Sequence, residues 1–255
     1  MAEPHFLKSA SLTDPLGVLS LWERASTQPP HRRDAALLHA AGLAPARSLG
    51  ERNARLLELH AHWFGREIEL LSHCPACGTA AQFTADSEAL VARQAPALDA
   101  HGPHHLLALD HEVSFRLPDG DDVAAAAAEA TNIDAVDDAV FARRLLARCV
   151  TSCASRGKPV SLCDLPQTVL EAISQRIEAL DPGADISFAL ACPQCAAPWS
   201  ASLHPGELLW PKLRAVAERL LLEVDALARA YGWTEPDVLA LTPLRRAAYL
   251  QMATA

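Results

Sequence analysis

Aromatic residues are scarce in this chain: Phe, Trp and Tyr make up 5% of its 255 residues. The hydrophobic fraction is nevertheless 50%, which is ordinary for a globular protein. A core with so few aromatic rings must be built mainly from Leu, Ala and Val. Because Ala and Leu are the best helix formers, this composition favours a mostly helical fold.

Long apolar runs are also missing. No segment approaches the roughly 20 apolar residues that cross a bilayer, so we predict no membrane segment. Residues 1–5 lack the basic and then apolar layout of a signal peptide. We therefore predict a cytoplasmic protein, and leave open its incorporation into a larger particle.

Basic residues are outnumbered, with 22 Lys and Arg against 31 Asp and Glu. The net charge of −9 argues against a general nucleic-acid binder, which needs cations to displace phosphate counterions. Between Asp99 and Val140 there are ten acidic residues and one basic residue, Arg116. This acidic segment is either a solvated surface or a docking face for a basic partner.

Recognisable catalytic motifs are absent as well. The chain has no G-x-S-x-G, no phosphate-binding glycine loop and no H-E-x-x-H. The acidic pairs Asp121-Asp122 and Asp137-Asp138 are adjacent in sequence, so their side chains point in different directions and do not form a general acid/base pair. We predict a protein that is not an enzyme.

What the chain does have is an internal repeat of strand, cysteine turn and strand, with a shift of 118 residues. Residues 68–71 and 82–84 are predicted strands around Cys74-Pro75-Ala76-Cys77. Residues 185–190 and 199–201 are predicted strands around Cys192-Pro193-Gln194-Cys195.

The two C-P-x-C turns predict one structural zinc site with four ligands, Cys74, Cys77, Cys192 and Cys195. Thiolates without histidine select zinc over magnesium or calcium, and four of them leave no open coordination position. The pairs are separated by 114 residues, far more than in a usual zinc ribbon. The alternatives are four reduced cysteines in two turns, or a redox role for one pair.

Further cysteines and histidines are weaker candidates. Cys149 and Cys153 are predicted four residues apart on a helix, as buried structural residues rather than ligands; Cys163 has no predicted function. A cluster of four histidines is predicted as a solvated loop, with a second metal site as the alternative: His101, His104, His105 and His111. His73 and His204 adjoin the cysteine turns and are predicted to be surface residues or neighbours of the zinc ligands rather than ligands.

The overall prediction is an α+β protein, mostly helical, built around a split zinc ribbon. Helices are predicted over residues 16–25, 34–41, 48–64, 135–150, 165–180, 207–230, 235–241 and from 243 onwards, with a further helix at 124–128 left open. Five segments are predicted: an N-terminal helical part (residues 1–66), the first knuckle (67–91), an inserted acidic α/β part (92–183), the second knuckle (184–206) and a C-terminal helical part (207–255).

The C-terminal part ends in a basic and aromatic helix. Arg245 and Arg246 lie near Tyr249, and Trp233 precedes them. Such an end can bind a partner or a phosphate; the alternative is an exposed helix face that complements local acidic residues.

Several of these motifs together resemble the T-even-phage-type baseplate hub assembly chaperone family, in the form found in bacterial contractile injection systems and prophage-like tails. The similarity covers roughly residues 45 to 252. The matching motifs are residues 51–57 (ERNARLL), Phe64-Gly65, residues 74–78 (CPACG), residues 115–118 (FRLP), residues 192–195 (CPQC) with Trp199, residues 231–241 (YGWTEPDVLAL), Arg245-Arg246 and Tyr249-Leu250.

The resemblance implies a non-enzymatic, zinc-binding assembly factor or minor component of a tail baseplate. Its partners would be baseplate or tail proteins of a contractile particle, bound through contacts that include Trp233, Arg245, Arg246 and Tyr249. One departure from the pattern is Ala196, which replaces the glycine expected after the second knuckle. The alternative function is a zinc-ribbon regulator that binds nucleic acid.

Overall fold

The computed structural model has an α+β architecture that is mostly helical, as predicted, with small antiparallel sheets. Its α-helices and strands are numbered α1–α10 and β1–β8 in chain order. No helix among the described residues is long and apolar enough to span a membrane. The structure describes residues 12, 14–93, 102–129 and 138–253.

Three helices open the described chain: α1 (Pro15–Ser26), α2 (Pro30–Ala40) and α3 (Leu49–Phe64). The second begins four residues earlier than predicted, because Pro30 is well tolerated in a first turn. The third is capped by Ser48, whose Oγ accepts a hydrogen bond from the Glu51 amide. All three were predicted, the first from Asp14-Pro15 at its start, the second from Gly42 at its end and the third from its apolar spacing, and they are confirmed.

The repeated segments form two matching hairpins. Strand β1 (Glu67–His73) pairs with β2 (Ala80–Asp86), and β7 (Ile186–Ala191) pairs with β8 (Pro198–Leu203). A helix follows each hairpin, and the first of these is α4 (Ser87–Arg93). The predicted strand–turn–strand repeat is confirmed; β1, β2 and β8 are longer than predicted, and β7 has the predicted length but begins one residue later.

The segment between the hairpins carries a four-stranded antiparallel sheet in the order β3-β4-β5-β6. These strands are β3 (His104–Ala108), β4 (His111–Phe115), β5 (Val150–Ser155) and β6 (Lys158–Pro159). One of them, β4, is predicted by the sequence, because residues 111–117 alternate between apolar and polar side chains. Helix α7 (Gln167–Leu180) packs its apolar residues against the sheet.

Two predictions in this segment are wrong. His104 and His105 belong to a strand rather than a loop, because His104 packs against the Phe115 ring at 5.4 Å and is buried. Cys149 and Cys153 do not share a helix, since the helix ends at Cys149 and Cys153 lies in β5. His101 lies outside the described residues.

Helix α5 (Gly120–Ala128), which the weak amphipathicity of residues 124–128 left open, forms behind a capping box between Asp119 and Asp122. The Asp122 carboxylate is buried and accepts hydrogen bonds from the Arg116 guanidinium at 2.5 and 2.8 Å. The negative charge of the acidic segment is therefore partly balanced by a basic side chain of the same segment, Arg116.

The helix predicted over residues 135–150 is α6 (Asp138–Cys149), and its predicted first three residues lie outside the described range.

The C-terminal part is a long helix followed by two short ones: α8 (Pro205–Tyr231), α9 (Glu235–Leu239) and α10 (Pro243–Ala253). Gly232 ends the first at φ 70°, a left-handed conformation that suits glycine. Thr234 caps the second in a capping box, and its amide donates to Asp237 Oδ2 at 3.0 Å.

Three clusters of buried apolar residues hold these parts together. The first joins α1, α2, α3 and α8, and the second lies between the four-stranded sheet and α7. The third lies between the two hairpins and contains Leu57, Ile68, Leu90, Ile186 and Leu203. Because Ile68 and Ile186 occupy equivalent positions of the repeat, the two hairpins contribute matching residues to one core.

Candidate metal centre

The turns of the two hairpins bring four cysteine sulfurs together. Cys74 Sγ lies 3.8 Å from Cys195 Sγ, and Cys77 Sγ lies 3.5 Å from Cys192 Sγ. All four sulfurs lie within 4.8 Å of one another. This cluster can hold a metal ion, and it consists of the four residues predicted from the spacing.

Each turn is closed by the same pair of backbone hydrogen bonds. In the first, the Cys74 amide donates to Thr79 O at 2.9 Å and the Gly78 amide donates to Cys74 O at 2.8 Å. In the second, the Cys192 amide donates to Ala197 O and the Ala196 amide donates to Cys192 O, both at 3.0 Å. The repeat in sequence is therefore a repeat in local geometry.

The residue after the second cysteine of each turn has a left-handed backbone. Gly78 has φ 74° and its equivalent, Ala196, has φ 58°. Glycine adopts this conformation without steric cost, whereas alanine does not. The substitution seen in the sequence therefore leaves the turn intact and places backbone strain in the second knuckle.

Hydrogen bonds around the sulfurs favour thiolates in both turns. The Thr79 hydroxyl and amide lower the pKa of the Cys77 thiol to about 6. The Cys195 amide lies 3.4 Å from Cys192 Sγ and lowers the pKa of that thiol. Amides directed at sulfur are the usual environment of thiolate ligands.

Not all four sulfurs ionise easily together. An amide hydrogen bond from Ala197 lowers the pKa of Cys195, but hydrogen bonds shared with Cys192 and Cys77 outweigh it and raise the value to about 12. Negative charges so close together repel one another, so the last proton is held tightly. A bound cation would remove this repulsion and release the proton.

Side chains also connect the two hairpins directly. Thr79 Oγ1 donates to Gln194 Oε1 at 2.5 Å, from one knuckle to the other. Trp199 Nε1 donates to Ser72 Oγ at 3.1 Å. The Phe83 and Phe188 rings meet edge to face at 5.2 Å. The cluster therefore rests on a packed interface between distant parts of the chain.

Helix α3 fixes the entry to the second hairpin, which sequence reasoning missed. The Asn53 amide donates to Gly183 O at 2.9 Å and to Ala184 O at 3.2 Å. The Gly50 amide donates to Asp181 Oδ2 at 2.9 Å. The available signal was a polar residue, Asn53, among the leucines on the apolar side of the helix.

The other candidate ligands stand apart from the four cysteines. His73 and His204 are exposed, and neither belongs to the cluster. His105 Nδ1 lies 2.9 Å from Ser114 Oγ on the four-stranded sheet. Among the described residues, the four cysteines are the group that brings three or more potential ligand atoms together.

The remaining cysteines lie outside the centre. Cys149 is buried, and burial raises the pKa of its thiol to about 12. Cys153 is partly buried in β5, where burial again raises its pKa, and Cys163 is exposed. The prediction of a buried structural residue therefore fits Cys149 best.

The predicted partner-binding residues form two different arrangements. Trp233 stacks on Tyr231 at 4.8 Å and meets Tyr249 edge to face at 4.9 Å. Arg245 is exposed, but Arg246 is 5% exposed and its Nε donates to Glu223 Oε2 at 2.6 Å. Arg246 therefore joins α10 to α8. Because it is buried, the prediction that Arg246 contacts a partner at the surface is wrong.

No family model, curated protein or solved structure matches this chain. The resemblance to the baseplate chaperone family stays a prediction that depends on the residues quoted for it.

Proposed function

We propose that the ion held by the four cysteines is zinc and that its role is structural. In a tetrahedral site with Zn–S distances of about 2.3 Å, neighbouring sulfurs are about 3.8 Å apart. Two of the sulfur pairs here are separated by 3.5 and 3.8 Å. Four thiolates fill the coordination shell, so no position is left for a substrate or a water.

Such an ion would connect the N-terminal and C-terminal halves of the protein. Cys77 and Cys192 are separated by 114 residues, and the hairpins that carry them contact α3 and α8. A thiolate site does not exist in an unfolded chain, so metal binding contributes directly to the stability of the fold.

We further propose that the protein is a non-enzymatic assembly factor or minor component of the baseplate of a phage-tail-like contractile injection system. The observation that carries this proposal is the resemblance of residues 45–252, which includes both cysteine knuckles and the C-terminal aromatic motif. Contacts with baseplate or tail proteins would provide the function, and the metal centre would hold the contact surfaces in place.

Native mass spectrometry of the purified protein tests the metal proposal. We expect one zinc ion per chain, and its loss from Cys192→Ser together with a lower free energy of unfolding. Cys163→Ser is the matched control, because this exposed thiol lies outside the cluster and should leave both quantities unchanged. Unchanged zinc content in Cys192→Ser would refute the four-ligand site.

Co-expression with the baseplate subunits of a contractile injection system tests the assembly proposal. We expect a complex with at least one subunit that survives size-exclusion chromatography in high salt. If the protein instead binds none of them and shifts DNA or RNA in a salt-sensitive gel assay, the nucleic-acid regulator is the better reading.

A further inference from the structure

A cavity of about 470 Å³ lies where α2, α3, α5 and the first turns of α8 meet. Its volume falls within the range of about 300–1,000 Å³ that is usual for small-molecule sites. The α8 residues that line it follow Leu203, the end of β8 that is remote from the cysteine turn. The cavity is therefore separate from the metal centre, and no cysteine is among the described residues that line it.

One wall of the cavity carries an arginine whose hydrogen-bond donors are unused. The Arg33 guanidinium lies over the Trp210 indole, with Cζ 4.5 Å from the ring centroid. Within the described part of the chain its side chain makes no hydrogen bond and no ion pair, and its Nε is buried without a partner. A guanidinium has five N–H donors in a planar fork, and stacking on a ring uses none of them. Arg33 is therefore positioned to bind a carboxylate.

Two carboxyl groups from different helices line the same cavity. Asp34 of α2 is partly buried, and its Oδ2 lies 3.8 Å from Arg52 Nε, which is long for an ion pair. The pKa of Asp34 is raised, chiefly by burial and further by Glu207, although Arg52 lowers it. Glu207, in the first turn of α8, is exposed, and its side chain makes no ion pair with any described residue. An ammonium group between these two carboxylates would relieve their mutual repulsion.

The remaining lining is largely apolar. Val123 of α5 and Pro205, Trp210 and Pro211 of α8 contribute it. A ligand side chain that covers these residues removes apolar area from water, at about 25 cal/mol per Å². An apolar side chain therefore suits this wall better than a polar one.

Ligands with a single charge fit the cavity poorly. A simple anion would be attracted by Arg33 but repelled by Asp34 and Glu207. A simple cation would be attracted by the two acids but repelled by Arg33 and Arg52. Such repulsion is strong in a partly buried site, where water screens charges less than it does at the surface. A small zwitterion is complementary to both sets of charges.

We propose that this cavity binds a free α-amino acid with an apolar side chain. Its carboxylate pairs with Arg33, and its ammonium group lies between Asp34 and Glu207. Its side chain packs against Trp210 and Val123. The ligand connects α2 to α8, so that its binding stabilises the folded protein by mass action. The proposal goes beyond the proposed function and requires neither the metal ion nor a baseplate partner.

Isothermal titration calorimetry on the natural protein tests the chemistry of the ligand. We expect saturable binding of L-leucine or L-phenylalanine with a dissociation constant below about 10 mM. Binding should be at least about tenfold weaker for the N-acetyl derivative, which lacks the ammonium charge, and for the amide derivative, which lacks the carboxylate. No saturation by either amino acid up to about 10 mM would overturn the proposal. Equal binding of the N-acetyl derivative (a site for anions only) or of the amide (a site for cations only) would also overturn it.

Neighbouring arginines provide a variant and its matched control. Arg33→Gln should weaken binding of the amino acid at least about tenfold, because it removes the partner of the carboxylate. Arg32→Gln is the control, since Arg32 is exposed and lines a different cavity. Equal effects of the two variants would overturn the proposal. Glu207→Gln, at an exposed position, should weaken binding at least about threefold. Unchanged affinity in Glu207→Gln would overturn the proposal even if Arg33→Gln failed to fold, as judged by circular dichroism.

Discussion

Exchanging the residues that end the two cysteine knuckles should change stability in opposite directions. Ala196 and Gly78 occupy equivalent positions, at φ 58° and φ 74°. An L-residue in this left-handed region costs about 1–2 kcal/mol, while glycine loses about 0.4–1 kcal/mol more chain entropy on folding. Ala196→Gly should therefore raise the free energy of unfolding by about 1 kcal/mol.

The reciprocal variant isolates the contribution of the backbone conformation to the free energy of unfolding. A Cβ added at Gly78 would meet no atom within 4 Å, so Gly78→Ala introduces no clash and should lower the free energy of unfolding by about 1 kcal/mol. The double exchange should lie close to the natural protein, within about 0.5 kcal/mol if the two turns act independently.

Urea unfolding at a fixed free zinc concentration measures these differences, and thermal unfolding should show shifts of about 2–4 °C. The zinc content of each variant is measured alongside, because loss of metal would mask the backbone effect. If Ala196→Gly lowered the free energy of unfolding at full metal content, the left-handed backbone would not be the source of strain in the second knuckle.

Three further changes probe contacts away from the metal. Arg246→Met should cost about 2–3 kcal/mol of unfolding free energy in urea titrations because it breaks a buried ion pair, whereas Arg245→Met, at an exposed position, should cost less than about 0.5 kcal/mol. Burial and the Lys212 ammonium lower the pKa of His60 from 6.5, so the folded state keeps this imidazole neutral. The unfolded state then takes up a proton below pH 6.5, so stability should fall as the pH drops below that value, and less steeply in His60→Gln. Asn53→Ala should cost about 2 kcal/mol in the same titrations, since it leaves two backbone carbonyls without a donor.

Each of these expectations has a result that contradicts it. Equal costs at Arg246 and Arg245 would mean that the buried pair contributes no more than an exposed charge. A pH dependence unchanged by His60→Gln would assign the titration to another group. Full stability of Asn53→Ala would mean that the hydrogen bonds between α3 and the second hairpin are dispensable.

The four-cysteine cluster could be predicted from the sequence because its geometry is local and repeated. A C-P-x-C turn closes by hydrogen bonds between residues four and five apart, and Cys74 and Cys192 both start such a turn. The matched flanking strands then indicated that the two turns pack together. The helices were predictable for the same reason, since their apolar residues recur at short intervals.

The four-stranded sheet was mostly missed because its strands depend on distant partners. Strand β5, with the sequence VTSCAS, has no apolar alternation and follows a helix without a break. It is a strand because Val113 of β4 pairs with Cys153. Likewise, His104 becomes a strand residue through Phe115, to which it is also packed. Short strands of low β-propensity are set by such tertiary contacts rather than by their own residues.

The distance along the chain between the two knuckles also has a consequence during synthesis. Cys192 is added to the growing chain 115 residues after Cys77. At about 5–20 residues per second, the first knuckle waits about 6–23 s for its second pair of ligands. During that time the proposed site has only two of its four thiolates, so we expect the nascent chain to be more exposed to oxidation and to competing metals than the finished protein.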